Sequence, residues 1–116
     1  MRLRSDIWVA AYLRRRHAEG SFAALRRRGA AEAGAIVIKI DRLDGRVAVY
    51  GPAPQSLTVA LPAGVDRLFV RLHEPEWISA VDAESRLERE VRFDSDLWIV
   101  EVEDRDGEAR IDLAAS

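Results

Sequence analysis

The sequence has 116 residues, 48% hydrophobic and 33% charged, with 18 basic side chains, 20 acidic ones and no cysteine. That length suits one domain with one modest core, and that composition argues against global disorder. The lack of cysteine excludes a disulfide framework, thiol catalysis and thiolate metal sites, and a formal charge of −2 excludes an overall polycation made for nucleic acid.

Ser5-Asp6 forms a helix N-cap signal ahead of Ile7. Gly20 is a stop signal after Arg14, Arg15, Arg16 and His17, whose charges suit a helix C-terminus. A first helix is therefore predicted over residues 6–19, with its apolar start buried and its arginine end in water. Phe22 to Arg27 reads as a short strand, and Gly29 to Gly34 as a small-residue turn. The β-branched run Ala35 to Ile40 reads as a central strand. Asp44-Gly45 then signals a hairpin into the alternating stretch Arg46 to Tyr50.

Gly51 to Pro54 breaks the chain. Leu57 to Leu61 is a weaker strand and Arg67 to Leu72 a firmer one. After Pro75, residues 76–93 read as a second helix, with Ala80, Ala83, Leu87 and Val91 on one face. Asp82/Arg86, Arg86/Glu90 and Glu88/Arg92 are opposite charges four residues apart on its wet side. Leu97 to Glu103 is a strand, and Asp106-Gly107 signals a second hairpin into Ala109 to Leu113. The expected fold is a single α+β domain over residues 1–116, with a largely antiparallel sheet of five to seven strands and two main helices packed on one face. Trp8, Leu13, Ile36, Ile38, Val70, Leu87, Val91 and Val100 are the expected core.

Charge is unevenly spread. Residues 1–46 hold 11 basic groups and five acids, while residues 47–116 hold seven basic groups and 15 acids. The triplets Arg14, Arg15, Arg16 and Arg26, Arg27, Arg28 are the candidate binding residues. A chain reversal at Gly20 would bring them to one rim, where guanidinium groups could hold phosphates. Alternatively they pair with the acidic half. Trp8 and Tyr12 lie on the apolar end of the helix and read as core rather than as base-stacking aromatics.

Other constellations carry less. Gly29 to Gly34 has the glycine spacing of a phosphate loop, but Ala35-Ile36 and a strand follow it where Lys, Ser/Thr and a helix are required. His17 and His73 have no partner at zinc-site spacing. Asp104, Asp106 and Gly107 open like a calcium loop but lack its later ligands. No metal or cofactor is therefore expected. Asp94, Asp96 and Glu101 are the candidates for an acid/base role, against which stand their turn and strand-face positions. No serine lies in a Gly-x-Ser-x-Gly elbow. The apolar stretches Ile7 to Leu13 and Ala35 to Ile38 fall short of the ~20 residues of a membrane span. The N-terminus lacks a cleavage site, and a cytoplasmic location is expected.

The stretches Ser5 to Tyr12, Arg27-Arg28-Gly29 before Ala33-Gly34, Leu43-Asp44-Gly45, Tyr50 to Gln55 and Arg92-Phe93-Asp94 through Asp104 resemble a small alphaproteobacterial family of short proteins of unknown function. The resemblance spans nearly the whole chain except Gln55 to Val65. Its most specific part is Phe93-Asp94-Ser95-Asp96-Leu97-Trp98. It implies a stand-alone bacterial protein and brings no activity, cofactor or catalytic residue with it. The leading expectation is a non-enzymatic binding module for a protein or a polyanion such as RNA. The alternatives are a small enzyme using Asp94, Asp96 and Glu101, and an assembly protein whose homo-oligomer is its function.

Overall fold

The run 36–41 carries four β-branched side chains in six positions, and it forms the middle of the sheet. In the computed structural model, which describes residues 2–54, 61 and 63–114, the elements are α1 (Ser5–Ala18), β1 (Phe22–Arg27), β2 (Ile36–Asp41), β3 (Val47–Pro52), β4 (Phe69–Arg71), α2 (Ala80–Phe93) and β5 (Trp98–Glu103). The strand order is β1-β5-β2-β3-β4. All neighbouring pairs are antiparallel except β2 with β5, which run parallel from Ile36↔Trp98 to Asp41↔Glu103. The fold is thus α+β with a largely antiparallel five-stranded sheet. Its radius of gyration is 13.5 Å, that of one folded unit of this length.

The two helices cover opposite faces, a correction to the one-sided packing expected above. Successive strand residues point to opposite faces. Ile36, Ile38 and Ile40 join Trp98, Val100, Val102 and the α1 residues Val9 and Tyr12 in one core. Val37, Val47, Val49, Leu97 and Ile99 join the α2 residues Ala83 and Leu87 in the other. A strand buried on both faces has no apolar/polar alternation, which is why residues 35–38 read as a continuous apolar run. Ile36, Ile38, Leu87 and Val100 are buried as expected. Trp8, Leu13, Val70 and Val91 are only partly buried. The sheet-facing stripe of α1 is narrow, Ser5, Val9, Tyr12 and Arg16, and Trp8 and Leu13 flank it. Val70 sits in a three-residue edge strand.

Helix α1 begins with its free N–H groups docked on the following turn: Ser5 N–H donates to Glu32 O at 3.1 Å and Asp6 N–H to Ala31 O at 3.0 Å. Loop carbonyls thus take the capping role that the sequence suggested for Ser5-Asp6. The Ser5 hydroxyl instead donates to Gly34 O at 2.6 Å. Helix α2 begins at Ala80 rather than near residue 76. Ser79 caps it by accepting from Asp82 N–H at 3.1 Å. Just upstream, Ile78 exchanges two 2.8 Å backbone bonds with Val47, which holds residues 76–79 out of the helix. Of the three expected ion pairs on α2, Arg86–Glu90 forms at 3.4 Å, and neither Asp82/Arg86 nor Glu88/Arg92 appears among the described residues.

The Asp44-Gly45 hairpin forms, with Arg42 N–H donating to Arg46 O at 3.0 Å. The one expected at Asp106-Gly107 does not. The chain turns there, since Asp106 N–H donates to the Asp104 carboxylate at 2.8 Å, but both edges of β5 are already taken by β1 and β2. Residues 105–114 instead run past α1 to the far edge strand. Tyr12 Oη donates to Ala109 O at 2.6 Å, and Phe69 N–H donates to Asp112 O at 2.9 Å. The strand expected over residues 57–61 lies, apart from Leu61, outside the described residues. No helix among the described residues is long and apolar enough to cross a membrane.

Candidate functional site

The arginine triplets do not meet on one rim. Helix α1 and β1 run in opposite directions, so the triplets close opposite ends of the domain. Arg16 reaches Asp104, just past the end of β5, whereas Arg27 reaches Ser95 O and Leu97 O, just before its start. The six residues of β5 separate these points by roughly 20 Å. Arg16 packs on the α1 side of the sheet and Arg26 on the α2 side.

Each arginine has its own surroundings. Arg14 is exposed on α1. Arg15 is also exposed; its guanidinium lies 5.3 Å from the Tyr12 ring centre and donates to Arg110 O at 3.0 Å. Arg16 is fully buried, against the expectation of a wet arginine end. It is charge-paired with Asp104 at 2.6 Å and donates to Glu108 O at 2.8 Å. Arg26 is held by Glu84 and, at 2.7 Å, by Glu101. Arg27 donates to Ser95 O at 3.1 Å, and Arg28 lies 5.3 Å from the Trp98 ring centre. Thus Arg16 and Arg26 are neutralised internally, as the acidic half of the sequence allowed.

Between β1 and α2 lies a groove of about 440 Å³ lined by Arg26, Arg27, Leu87, Glu88, Val91, Arg92 and Ile99. Its floor comes from the 3.6-residue stripe of α2, Leu87 and Val91, meeting Ile99 of β5. Helix α2 packs over β3, and its Ala83 and Leu87 share a core with Val37 of β2 and Ile99 of β5. One end of the groove is closed by an ion cluster. Arg26 bridges Glu84 and Glu101, and Lys39 Nζ lies 3.0 Å from Glu84. Hydrogen bonds from Arg26 and then Lys39 hold the Glu84 carboxyl down to about 2, although burial opposes them. At the other end, Arg27 and Arg92 have no carboxylate partner among the described residues. The stripe Leu87/Val91 was legible in the sequence. The availability of Arg92 was hidden, because its spacing from Glu88 suggests a pair that does not form.

The carboxylates considered for acid/base work do not converge. Asp94 accepts from Asp96 N–H at 3.0 Å in a turn, whereas Glu101 is bound in the ion cluster on the sheet, five residues further on, a span of roughly 15 Å along an extended chain. No three His, Asp or Glu side chains gather as metal ligands among the described residues. The arrangement defines a small α+β domain that carries an arginine-rimmed apolar groove on its α2 side.

The chain belongs to the DUF1491 family, proteins of unknown function, whose model matches residues 3–112. It is similar to the crystal structure of a DUF1491 family protein from Caulobacter crescentus, with 33% identity, 99% of this chain and 100% of that one covered, and a TM-score of 0.77. It is also similar to the solution structure of protein Atu0922 from A. tumefaciens, with 43% identity, 89% and 86% coverage and a TM-score of 0.72. No curated protein matches the chain.

Proposed function

We propose that the protein is a non-enzymatic binding module whose partner is another protein, held at the groove between β1 and α2. The observation that carries this reading is the pairing of an apolar floor, Leu87, Val91 and Ile99, with two guanidinium groups, Arg27 and Arg92, that lack carboxylate partners among the described residues. Protein interfaces combine an apolar centre with arginine anchors. A polyanion site has other needs. It takes several cations on one face and, for single strands, open aromatic platforms. The arginine triplets are split between two ends, Arg16 and Arg26 are spent internally, and the groove floor is aliphatic.

A photo-crosslinking residue placed at Glu88 on the groove lining, and for comparison at Leu43 on the remote β2–β3 turn, tests the reading in native lysate. The expected result is a protein adduct from position 88 that survives nuclease and is lost when Val91→Asp is added. Adducts that vanish with nuclease, or equal capture from both positions, would overturn it.

A further inference from the structure

The groove has a charge profile as well as a shape, and the profile constrains what enters. At its closed end the positive charge of Arg26 and Lys39 is cancelled by Glu84 and Glu101. Its other end carries Arg27 of β1 and Arg92 of α2, both in the lining. The guanidinium of Arg27 is oriented by carbonyl oxygens of Ser95 and, more loosely, Leu97. These fix its direction without cancelling its charge. Glu88, the remaining acid of the lining, makes no ion pair with either arginine among the described residues. A guanidinium fork matches a carboxylate with two parallel hydrogen bonds, and such pairs add geometric selectivity to charge. Val91, in the same lining as the two arginines, is only partly buried on the α2 core, so part of the apolar floor is open.

Resting on the binding-module reading, we infer that the groove takes a short acidic protein segment. One bulky aliphatic or aromatic side chain seats on Val91, and carboxylates on either side of it pair with Arg27 and Arg92. A basic segment would meet two like charges against the single carboxylate of Glu88, and a purely apolar one would leave both cations desolvated without partners, which is costly. The aliphatic floor gives a nucleobase no ring to stack on.

Fluorescence anisotropy with four probes tests this: a labelled peptide of aspartates around one central leucine, the same peptide with lysines for aspartates, the same with glycine for leucine, and a single-stranded oligoribonucleotide. The acidic leucine peptide should bind, more weakly as salt rises, and the other three should bind at least about tenfold less well, the scale of one charged hydrogen bond or one anchor. Arg92→Glu and, separately, Val91→Asp should each cost about tenfold or more, with unchanged circular dichroism. The inference is overturned if the lysine peptide or the oligonucleotide binds as well as the acidic leucine peptide. It is also overturned if Arg92→Glu leaves binding intact, or if sedimentation shows the groove filled by a second copy whose association the same variants abolish. If the photo-crosslinked protein adduct persists while the acidic peptide neither binds nor displaces it, the module reading stands and the acidic-segment inference falls.

Discussion

Arg16 and Asp104 meet at 2.6 Å across 88 residues of sequence, the arginine wholly enclosed and the carboxylate largely so. The pair ties the end of α1 to the chain just beyond β5. Removing one charge of such a pair strands the other, whereas replacing both partners by apolar side chains of similar size is far milder. Asp104→Asn should therefore cost about 3–5 kcal/mol, and the double variant Arg16→Met with Asp104→Leu distinctly less. Urea denaturation of both variants checks this; equal losses would mean that the pair is solvated and the latch weak.

Leu87 is buried at the centre of the α2 core. Leu87→Ala should leave a cavity and cost about 2–5 kcal/mol, a large share of a total stability of roughly 5–15 kcal/mol. An unfolding midpoint within error of wild type would show that α2 can settle onto the sheet without it.

His73 stands in for a strand residue. Its Nε2 accepts the Val49 N–H at 3.0 Å and its Nδ1 donates to Pro75 O at 2.7 Å, an arrangement that requires the neutral ring. Burial, and then the nearby Arg71 and Arg86, push its pKa below the usual 6.5. A depressed folded-state pKa means that the unfolded chain binds the proton more readily. This contribution is therefore complete above about pH 6.5 and is lost as pH falls through the lower folded value. Denaturation midpoints measured downward from pH 7.5 should show a decline that His73→Gln reduces; parallel profiles for the two proteins would refute it.

Gly107 and Gly45 share a left-handed backbone, with φ of +74° and +89°, but not the same neighbourhood. A Cβ on Gly107 would lie 2.5 Å from Trp77 Cη2, whereas one on Gly45 would meet nothing within 4 Å. Gly45→Ala should cost about 1–2 kcal/mol, the left-handed penalty alone, and Gly107→Ala clearly more. Trp77 is braced by the Arg42 guanidinium at 4.9 Å and that of Arg71 at 5.8 Å, so it cannot move aside cheaply. Thermal unfolding of the two variants side by side gives the comparison.

Local signals in the sequence found local structure. The Asp44-Gly45 turn, the strand after it and the buried face of α2 were all readable from spacing and turn chemistry. Long-range choices were not. Asp106-Gly107 carries the same turn signal as Asp44-Gly45, but nothing local tells that β5 has no free edge to offer a hairpin partner. Arg16 looked solvated because its partner lies 88 residues away. The family resemblance carried by Phe93 to Trp98 was correct, and the matching family model confirms it. Of the groove, the apolar floor was visible as a helical stripe, while the uncommitted state of Arg27 and Arg92 depends on ion pairs that form elsewhere.

The sheet's second-to-last place in the strand order belongs to its last-made strand. Consecutive strands β1 and β2 do not touch as neighbours; β5 lies between them and bonds to both. On a translating ribosome, β2, β3 and β4 have partners as soon as they emerge, but β1 waits without one until residues 98–103 leave the exit tunnel. Closing the sheet is therefore a late, long-range step, of the kind that slows folding and leaves strand edges open to wrong partners meanwhile. The charged, bulged end of β1, with its register shift between Leu25 and Arg27, is the sort of edge that resists such mispairing during the wait.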